Sequence, residues 1–456
     1  MNEISPPTQS LCPECLKVIP ARRIEENGKV YLVKDCPEHG EYKTLIWRQN
    51  ARHYIDWAKG SIRGSSAIRN YTDIAKGCPY DCGLCPEHRT RACATVIEVT
   101  QNCNLACPVC FAGAEKKQSL DPSIDILRGM YQAILDGVGV CTIQLSGGEP
   151  TLRDDLPQIA ALGREVGFKH ILINTNGIRI AGDVDFLARL KDSGAGTIYL
   201  QFDGVSDDVY RNIRGQNLFE LKTRALANCS LINIGVVLVP TIIPGINDGQ
   251  LGDIIQFAKE WMPIVKGVHF QPVSYLGRYP HPHGDADRIT IPDIISALEI
   301  QTQGELKTID FIPRQVEESH CGFSGIFILT EEGKLLALSG NSRKGGNKRK
   351  PTGEIPEEST RRFMAQHWQI DDCCCQTGDR NDFIDQLLHN NLTISGMPFQ
   401  DVWNIDLERL RACCIHVVTQ DKRIIPFCAY YLTSTKGQRL YSSNLIETNS
   451  QIRSVR

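Results

Sequence analysis

The stretch Thr100-Gln101-Asn102-Cys103-Asn104-Leu105-Ala106-Cys107-Pro108-Val109-Cys110-Phe111 decides how the chain is read. Three thiolates so closely spaced can bind three irons of a [4Fe–4S] cube from one loop, leaving the fourth iron without a protein ligand. That open iron is where chemistry is expected. Val and Ile run through Ala94 to Thr100 just before the loop, the pattern of a buried strand. The cysteines therefore sit beyond a strand's C-terminal end, which in α/β barrels is the active face.

Outward from this loop, strands alternate with helices from residue 94 to about 275. Ser123 can cap a helix carrying Ile124, Leu127, Tyr131 and Ile134 on one face, and Thr142 to Ser146 follows as a buried strand. Further strands are predicted at 171–175, 197–202, 234–239 and 268–271, with helices at 156–166, 184–191, 219–227 and 251–261. Six βα units predict an α/β fold built on a partial (β/α)6 TIM-type barrel, open at one side. Its strand ends carry Gly147-Gly148-Glu149-Pro150, Asn174-Thr175-Asn176-Gly177 and Gln201-Phe202-Asp203-Gly204, with Arg211 and Arg214 soon after. Such polar groups can hydrogen-bond a ligand.

The chain has 456 residues, 50 Lys and Arg against 53 Asp and Glu, and 19 cysteines. A formal charge of −3 argues against a generally basic nucleic-acid binder. Met1 to Ser10 is polar, and no run of about 18 apolar residues occurs, so a cytoplasmic protein is expected. There the thiols stay reduced, and clustered cysteines are better read as metal ligands than as disulfides.

The cysteines fall into sets. Cys12-Pro13-Glu14-Cys15 and Cys36-Pro37-Glu38-His39 flank a predicted strand at 29–33, giving a rubredoxin or zinc-ribbon arrangement in which Cys12, Cys15, Cys36 and His39 hold one iron or zinc. Cys78, Cys82 and Cys85 repeat the spacing of the central loop, and Cys93 can complete an auxiliary cube. A third cube is expected from Cys321, one of Cys373, Cys374 and Cys375 (Cys374 in the middle), Cys413 and Cys428, with Cys414 as a substitute for Cys413. Cys141 and Cys229 stand alone and read as small buried hydrophobes. The expected modules are 1–60 for the N-terminal metal-binding unit, 61–93 for the auxiliary-cluster segment, 94–310 for the barrel and 311–456 for a C-terminal auxiliary-cluster module. A loop around His281-Pro282-His283 is expected over the barrel mouth. The basic run Arg343 to Lys350 reads first as a solvated loop and second as a contact for anionic headgroups, which would put the protein peripherally at a membrane.

The cysteine loop directly after a strand, followed one βα unit later by Gly-Gly-Glu-Pro, resembles the radical S-adenosylmethionine (SAM) superfamily. The resemblance implies SAM on the open iron, reductively cleaved to a 5′-deoxyadenosyl radical, with Gly147, Gly148, Glu149, Asn176 and Asp203 as cofactor contacts and an electron donor such as a flavodoxin or ferredoxin. The wider order of motifs, through Asp406-Leu407-Glu408-Arg409-Leu410-Arg411-Ala412-Cys413-Cys414 and Ile424-Ile425-Pro426-Phe427-Cys428, is similar to the tetraether lipid synthase and dihydropterin methyltransferase-like family. That likeness implies one SAM-binding and two auxiliary [4Fe–4S] clusters, a mononuclear metal site, and carbon–carbon joining of lipid alkyl chains. The alternatives are radical methylation of a dihydropterin or other small molecule, and modification of a peptide. A long apolar channel would suit a lipid; a compact polar pocket would suit a pterin.

Overall fold

The computed structural model describes residues 2–59, 65–114, 120–280, 284–314, 318–339, 367–368 and 390–441. His281 to His283, Arg343 to Lys350 and Cys373 to Cys375 lie outside them.

The N-terminal unit is an antiparallel sheet of β1 (Asn2–Glu3), β2 (Thr8–Leu11), β3 (Val18–Glu26), β4 (Lys29–Cys36) and β5 (Gly40–Trp47), followed by α1 (Ala51–Trp57). Its two cysteine knuckles are the turns joining β2 to β3 and β4 to β5. The unit docks through polar side chains that would otherwise be buried without partners. Ser10 Oγ donates to the Ile405 carbonyl at 2.5 Å, Thr8 Oγ1 to Asp406 Oδ1 at 2.8 Å, and the buried Lys34 ammonium to the Val402 carbonyl at 2.6 Å.

The barrel begins at β6 (Ala94–Thr100), every residue of which is buried. It continues through α2 (Ile124–Val138), β7 (Thr142–Gly147), α3 (Leu156–Val166), β8 (Ile171–Thr175), α4 (Val184–Asp192), β9 (Thr197–Gln201), α5 (Asp207–Arg214), α6 (Phe219–Ile232), β10 (Gly235–Val239), β11 (Thr241–Ile242), α7 (Leu251–Glu260), β12 (Val265–Pro272) and α8 (Ile291–Gln301). Near-continuous apolar runs mark strands of a parallel sheet covered on both faces. The Ser123 side chain caps α2 by accepting from Ile126 N, and Leu127, Tyr131 and Ile134 are fully buried, as the periodicity predicts.

The remaining strands are β13 (Ile312–Pro313), β14 (Phe323–Leu329), β15 (Leu335–Ala337), β16 (Asn391–Gly396), β17 (Ile415–Val418) and β18 (Ile424–Pro426), with α9 (Leu407–Arg411) and α10 (Phe427–Tyr430). Two of them enlarge the barrel: β17 pairs in parallel with β6, and β16 in parallel with β12. The parallel order is β17-β6-β7-β8-β9-β10-β12-β16, flanked by antiparallel β18 and β14. The C-terminal residues thus supply both edges of the six-strand barrel expected from sequence. Among the described residues, no helix is long and apolar enough to cross a membrane.

Candidate functional site

The cysteine loop leaves β6 and is gripped from two sides by main chain. On one side Gly148 N donates to the Thr100 carbonyl and Glu149 N to the Asn102 carbonyl, both at 2.8 Å. This contact requires glycine, since a Cβ on Gly147 would lie 2.0 Å from Thr100 O and one on Gly148 2.1 Å from Asn102 O. On the other side Cys110 and Arg278 exchange both main-chain hydrogen bonds at 2.9 Å, and Arg278 Nε donates to the Cys107 carbonyl at 2.8 Å. Gly277, at φ +63°, brings its backbone against the Phe111 and Cys110 carbonyls.

Cys103, Cys107 and Cys110 all line a cavity of about 220 Å³ inside the barrel. Burial pushes the Cys103 thiol up to about 11 and also raises Cys107, against the pull of Arg214. Three thiols on one wall are a donor set that bound iron would hold as thiolates. Their ligand atoms do not all lie within 4.8 Å of one another, so they do not form a single-ion site. Among the described residues, the one group of three or more Cys, His, Asp or Glu ligands with all ligand atoms within 4.8 Å of one another is Cys12, Cys15, Cys36 and His39. There His39 Nδ1 lies 3.6 Å from Cys12 Sγ and 3.5 Å from Cys36 Sγ, fitting one tetrahedral ion.

Glu149 lines the cavity as a clamp between strands. Its Oε1 accepts from Thr151 N (3.0 Å), Thr151 Oγ1 (2.6 Å) and Thr175 Oγ1 (2.7 Å), and its Oε2 from Asn176 N (2.7 Å). Asn176 Nδ2 then donates to Asn104 Oδ1 at 2.7 Å, tying the end of β8 to the cysteine loop.

Asp203, expected to touch the cofactor, does not reach the cavity wall. It is fully buried, accepting from Arg214 Nε and Nη2 at 2.7 Å each and from Thr241 N at 3.1 Å. Arg214 takes the cavity position. Burial disfavours its charge, but Asp203 and Cys107 outweigh that and hold the guanidinium cationic. With its oxygen turned toward Arg214, the Gln201 amide accepts at 3.0–3.1 Å.

Lys222 was not singled out by sequence, although it interrupts an apolar stripe of Ala225, Leu226 and Cys229 on α6. Its fully buried ammonium donates to the Asn176 carbonyl, and burial draws its pKa down to about 8. Arg278 opens a connector containing Pro and Gly, a composition that does not mark it as a support for the cysteine loop.

The other cysteines are distributed differently from expectation in one respect. Cys78 and Cys82 are in side-chain contact, and Cys85 is buried in the same segment. Cys93 does not join them as a fourth free thiol; its sulfur is bonded to Cys414, with Cα atoms 5.3 Å apart. Parallel pairing of β17 beside β6 brings the two together at the strand starts. Adjacent residues point apart, so with Cys414 turned to Cys93, Cys413 Sγ instead donates to the Ile415 carbonyl at 3.1 Å. Cys428 Sγ accepts from Gln400 N at 3.2 Å and Cys321 Sγ from Arg409 Nη2 at 3.3 Å. Cys374 lies outside the described residues. Cys141 and Cys229 are singly buried.

Residues 4–48 match the model of the HMPTM N-terminal zinc ribbon domain, and residues 97–258 that of the radical SAM superfamily. The chain is 37% identical to the 7,8-dihydro-6-hydroxymethylpterin dimethyltransferase of Methanocaldococcus jannaschii, over 93% of this chain and 92% of that protein. It is 32% identical to the Fe-coproporphyrin III synthase of Methanosarcina barkeri, over 40% and 44% of the two chains. The crystal structure of Streptococcus suis SuiB bound to S-adenosylmethionine shares 17% identity, covering 47% of this chain and 48% of that chain, at a TM-score of 0.38.

Proposed function

The chain belongs to the radical SAM superfamily and, within it, to the family containing the dihydropterin dimethyltransferase of M. jannaschii, and from that membership we propose that it methylates a reduced pterin or a closely related small heterocycle. The observation that carries this is the likeness extending over 93% of this chain and 92% of that protein. Joining of lipid alkyl chains, placed first on motif order, gives way because that relative is named for a pterin substrate. The cavity lining mixes polar side chains, Gln144, Asn174, His269 and Gln271, with apolar ones, among them Phe111, Leu276, Met397, Phe399 and Phe427, so the choice rests on the relative and not on the cavity.

Cys103, Cys107 and Cys110 would hold the SAM-binding [4Fe–4S] cluster, and the bound pair supplies a primary carbon radical able to take a hydrogen atom from an unactivated C–H bond. Glu149 and Asn176 fix the ends of β7 and β8 against the cysteine loop, so the cofactor meets a preformed wall. Arg214 places a cation beside Cys107 and in reach of a carboxylate. Cys12, Cys15, Cys36 and His39 would hold zinc or iron as a structural staple. Cys78, Cys82 and Cys85 with a further ligand would hold an auxiliary cluster, and Cys321, Cys413 and Cys428 remain the described free-thiol candidates for another. A one-carbon donor and a low-potential electron donor such as a flavodoxin or ferredoxin complete the reaction.

The test is anaerobic turnover of the reconstituted protein with SAM, reductant and either 7,8-dihydro-6-hydroxymethylpterin or phospholipid. 5′-Deoxyadenosine formation stimulated by the pterin, with product heavier by one methylene per substituted hydrogen, supports the proposal. Stimulation by phospholipid alone, with loss of hydrogen from joined chains, overturns it.

A further inference from the structure

The inner end of the cavity holds polar groups that the cofactor site does not use. Asn174 on β8 and Tyr199 on β9 are register partners, and both line the cavity. Asn174 Nδ2 donates to Gln144 Oε1 at 3.3 Å, which leaves the Gln144 amide N–H groups as donors. Asn174 Oδ1 is buried without a hydrogen-bond partner among the described residues, and so is the indole Nε1 of Trp368. Trp368 also lines this wall, its ring 5.7 Å from that of Tyr199, and the His269 ring lies 5.8 Å from that of Tyr199. His269 Nδ1 pairs with Ser395 Oγ at 2.9 Å, and burial holds the imidazole neutral by lowering its pKa to about 3.

A ligand that pairs with the Gln144 amide N–H groups and with the second ring nitrogen of His269 is favoured over one that cannot. An alkyl chain cannot. Asn174 lies two residues before Asn176, roughly 7 Å deeper along the strand at 3.3 Å per residue, so this wall sits below the cysteine loop and the Glu149 clamp.

We propose that this floor, formed by Gln144, Asn174, Tyr199, His269 and Trp368, is the subsite for the substrate's ring: an uncharged, flat heterocycle with donors and acceptors along one edge, faced by aromatic side chains. The inference rests on the small-heterocycle function proposed above and deepens it by naming the residues that select the ring. Sites that hydrogen-bond a substrate edge reject analogues lacking it far more strongly than apolar pockets do.

The experiment measures ligand binding to the anaerobic holoprotein: 7,8-dihydro-6-hydroxymethylpterin and guanosine by fluorescence titration, SAM by equilibrium dialysis. Asn174→Leu, which keeps the volume and removes the amide that orients Gln144 through its Oε1, is expected to weaken pterin binding about tenfold or more while leaving the SAM Kd within about twofold. Gln144→Met, which keeps the length and loses the amide N–H groups, provides a second variant should the first not fold, with the same expected direction. Unchanged pterin binding in both variants overturns the subsite and leaves the function standing. Equal loss of SAM and pterin binding also overturns it, because the floor would then belong to the cofactor site or to the fold. If the wild-type protein binds guanosine but not the pterin, and Asn174→Leu abolishes that binding, the pterin function falls and the subsite stands. Binding of neither heterocycle to the wild-type protein overturns both.

Discussion

Arg214 and Asp203 form a bidentate ion pair, both contacts 2.7 Å, in which neither side chain is more than 6% exposed. Breaking a buried pair by removing one partner leaves an uncompensated charge and costs roughly 3–5 kcal/mol. Asp203→Ala is therefore expected to lower the unfolding free energy by about that much and to weaken SAM binding, because the guanidinium beside Cys107 loses its fixed position. Asp203→Ala combined with Arg214→Met is expected to recover part of the stability and none of the SAM affinity. Denaturant unfolding and equilibrium dialysis of the three proteins check this; a double variant no more stable than the single one contradicts the buried-charge explanation.

Gly148 packs where a side chain would strike main chain, 2.1 Å from Asn102 O and 2.9 Å from Gln101 O. Backbone cannot swing aside as the tip of a flexible side chain can, so Gly148→Ala must displace the cysteine loop. Misplacement by an ångström at a reacting centre costs on the order of a hundredfold in rate. The variant is expected to lose iron at this loop and 5′-deoxyadenosine formation by that order, while Gly182→Ala, whose Cβ would meet only Arg179 O at 3.8 Å, behaves as wild type. Iron analysis, visible absorption and product assay of both variants decide it.

Much of this geometry was legible before any coordinates. The loop Cys103 to Cys110 and the Gly147-Gly148 turn follow strands whose apolar runs are unambiguous, and β6 and β8 match the predicted bounds residue for residue. Helix α5 was not legible: Asp207, Asp208, Arg211, Asn212 and Arg214 make it so polar that its stripe of Val209, Tyr210 and Ile213 is thin. Asp203 reads as a ligand contact because it is a polar residue at a strand end, and sequence does not tell which member of an ion pair faces inward. Pairings across the whole chain were beyond local patterns. β17 joins β6 from more than 300 positions away, and the Cys93–Cys414 bond spans 321 residues. The β17–β18 pairing is local, between apolar runs a few residues apart, whereas the parallel partner of β17 lies at the other end of the chain.

The metal site in the N-terminal ribbon reaches beyond the ribbon. Cys12 and Cys15 follow β2, whose neighbours Ser10 and Thr8 hold Ile405 and Asp406. Asp401, in the same segment, is paired with Arg288 at 3.0 and 3.1 Å. Structural zinc contributes directly to folding energy, and its loss loosens what it staples. Cys15→Ser is expected to remove one metal ion per chain and to raise amide hydrogen exchange in both 8–11 and 401–407, with little change in β8 and β9. Elemental analysis and exchange mass spectrometry test it. Faster exchange confined to residues 8–40 would mean that the ribbon and the 401–407 segment are not energetically coupled.

Lys222 offers a test of stability against pH. Burial lowers its pKa from 10.5 to about 8 in the folded chain, and the ammonium is held by the Asn176 carbonyl. Below pH 8 both folded and unfolded chains are protonated there, and the cost of burying the charge is constant. Between pH 8 and 10.5 the unfolded chain binds more protons at this position than the folded one, so the stability contribution rises with pH. At about 1.4 kcal/mol per pH unit the rise amounts to roughly 3 kcal/mol. Lys222→Met lacks the titration, so the stability of the wild-type protein relative to Lys222→Met is expected to climb by that amount across the window and to level off outside it. The absolute offset at neutral pH combines two opposing effects, loss of a desolvated charge and an orphaned Asn176 carbonyl at roughly 1–3 kcal/mol, and is expected to be smaller than the pH-dependent part. Anaerobic urea unfolding at several pH values measures it; parallel curves for the two proteins would mean that Lys222 is not desolvated in the folded chain.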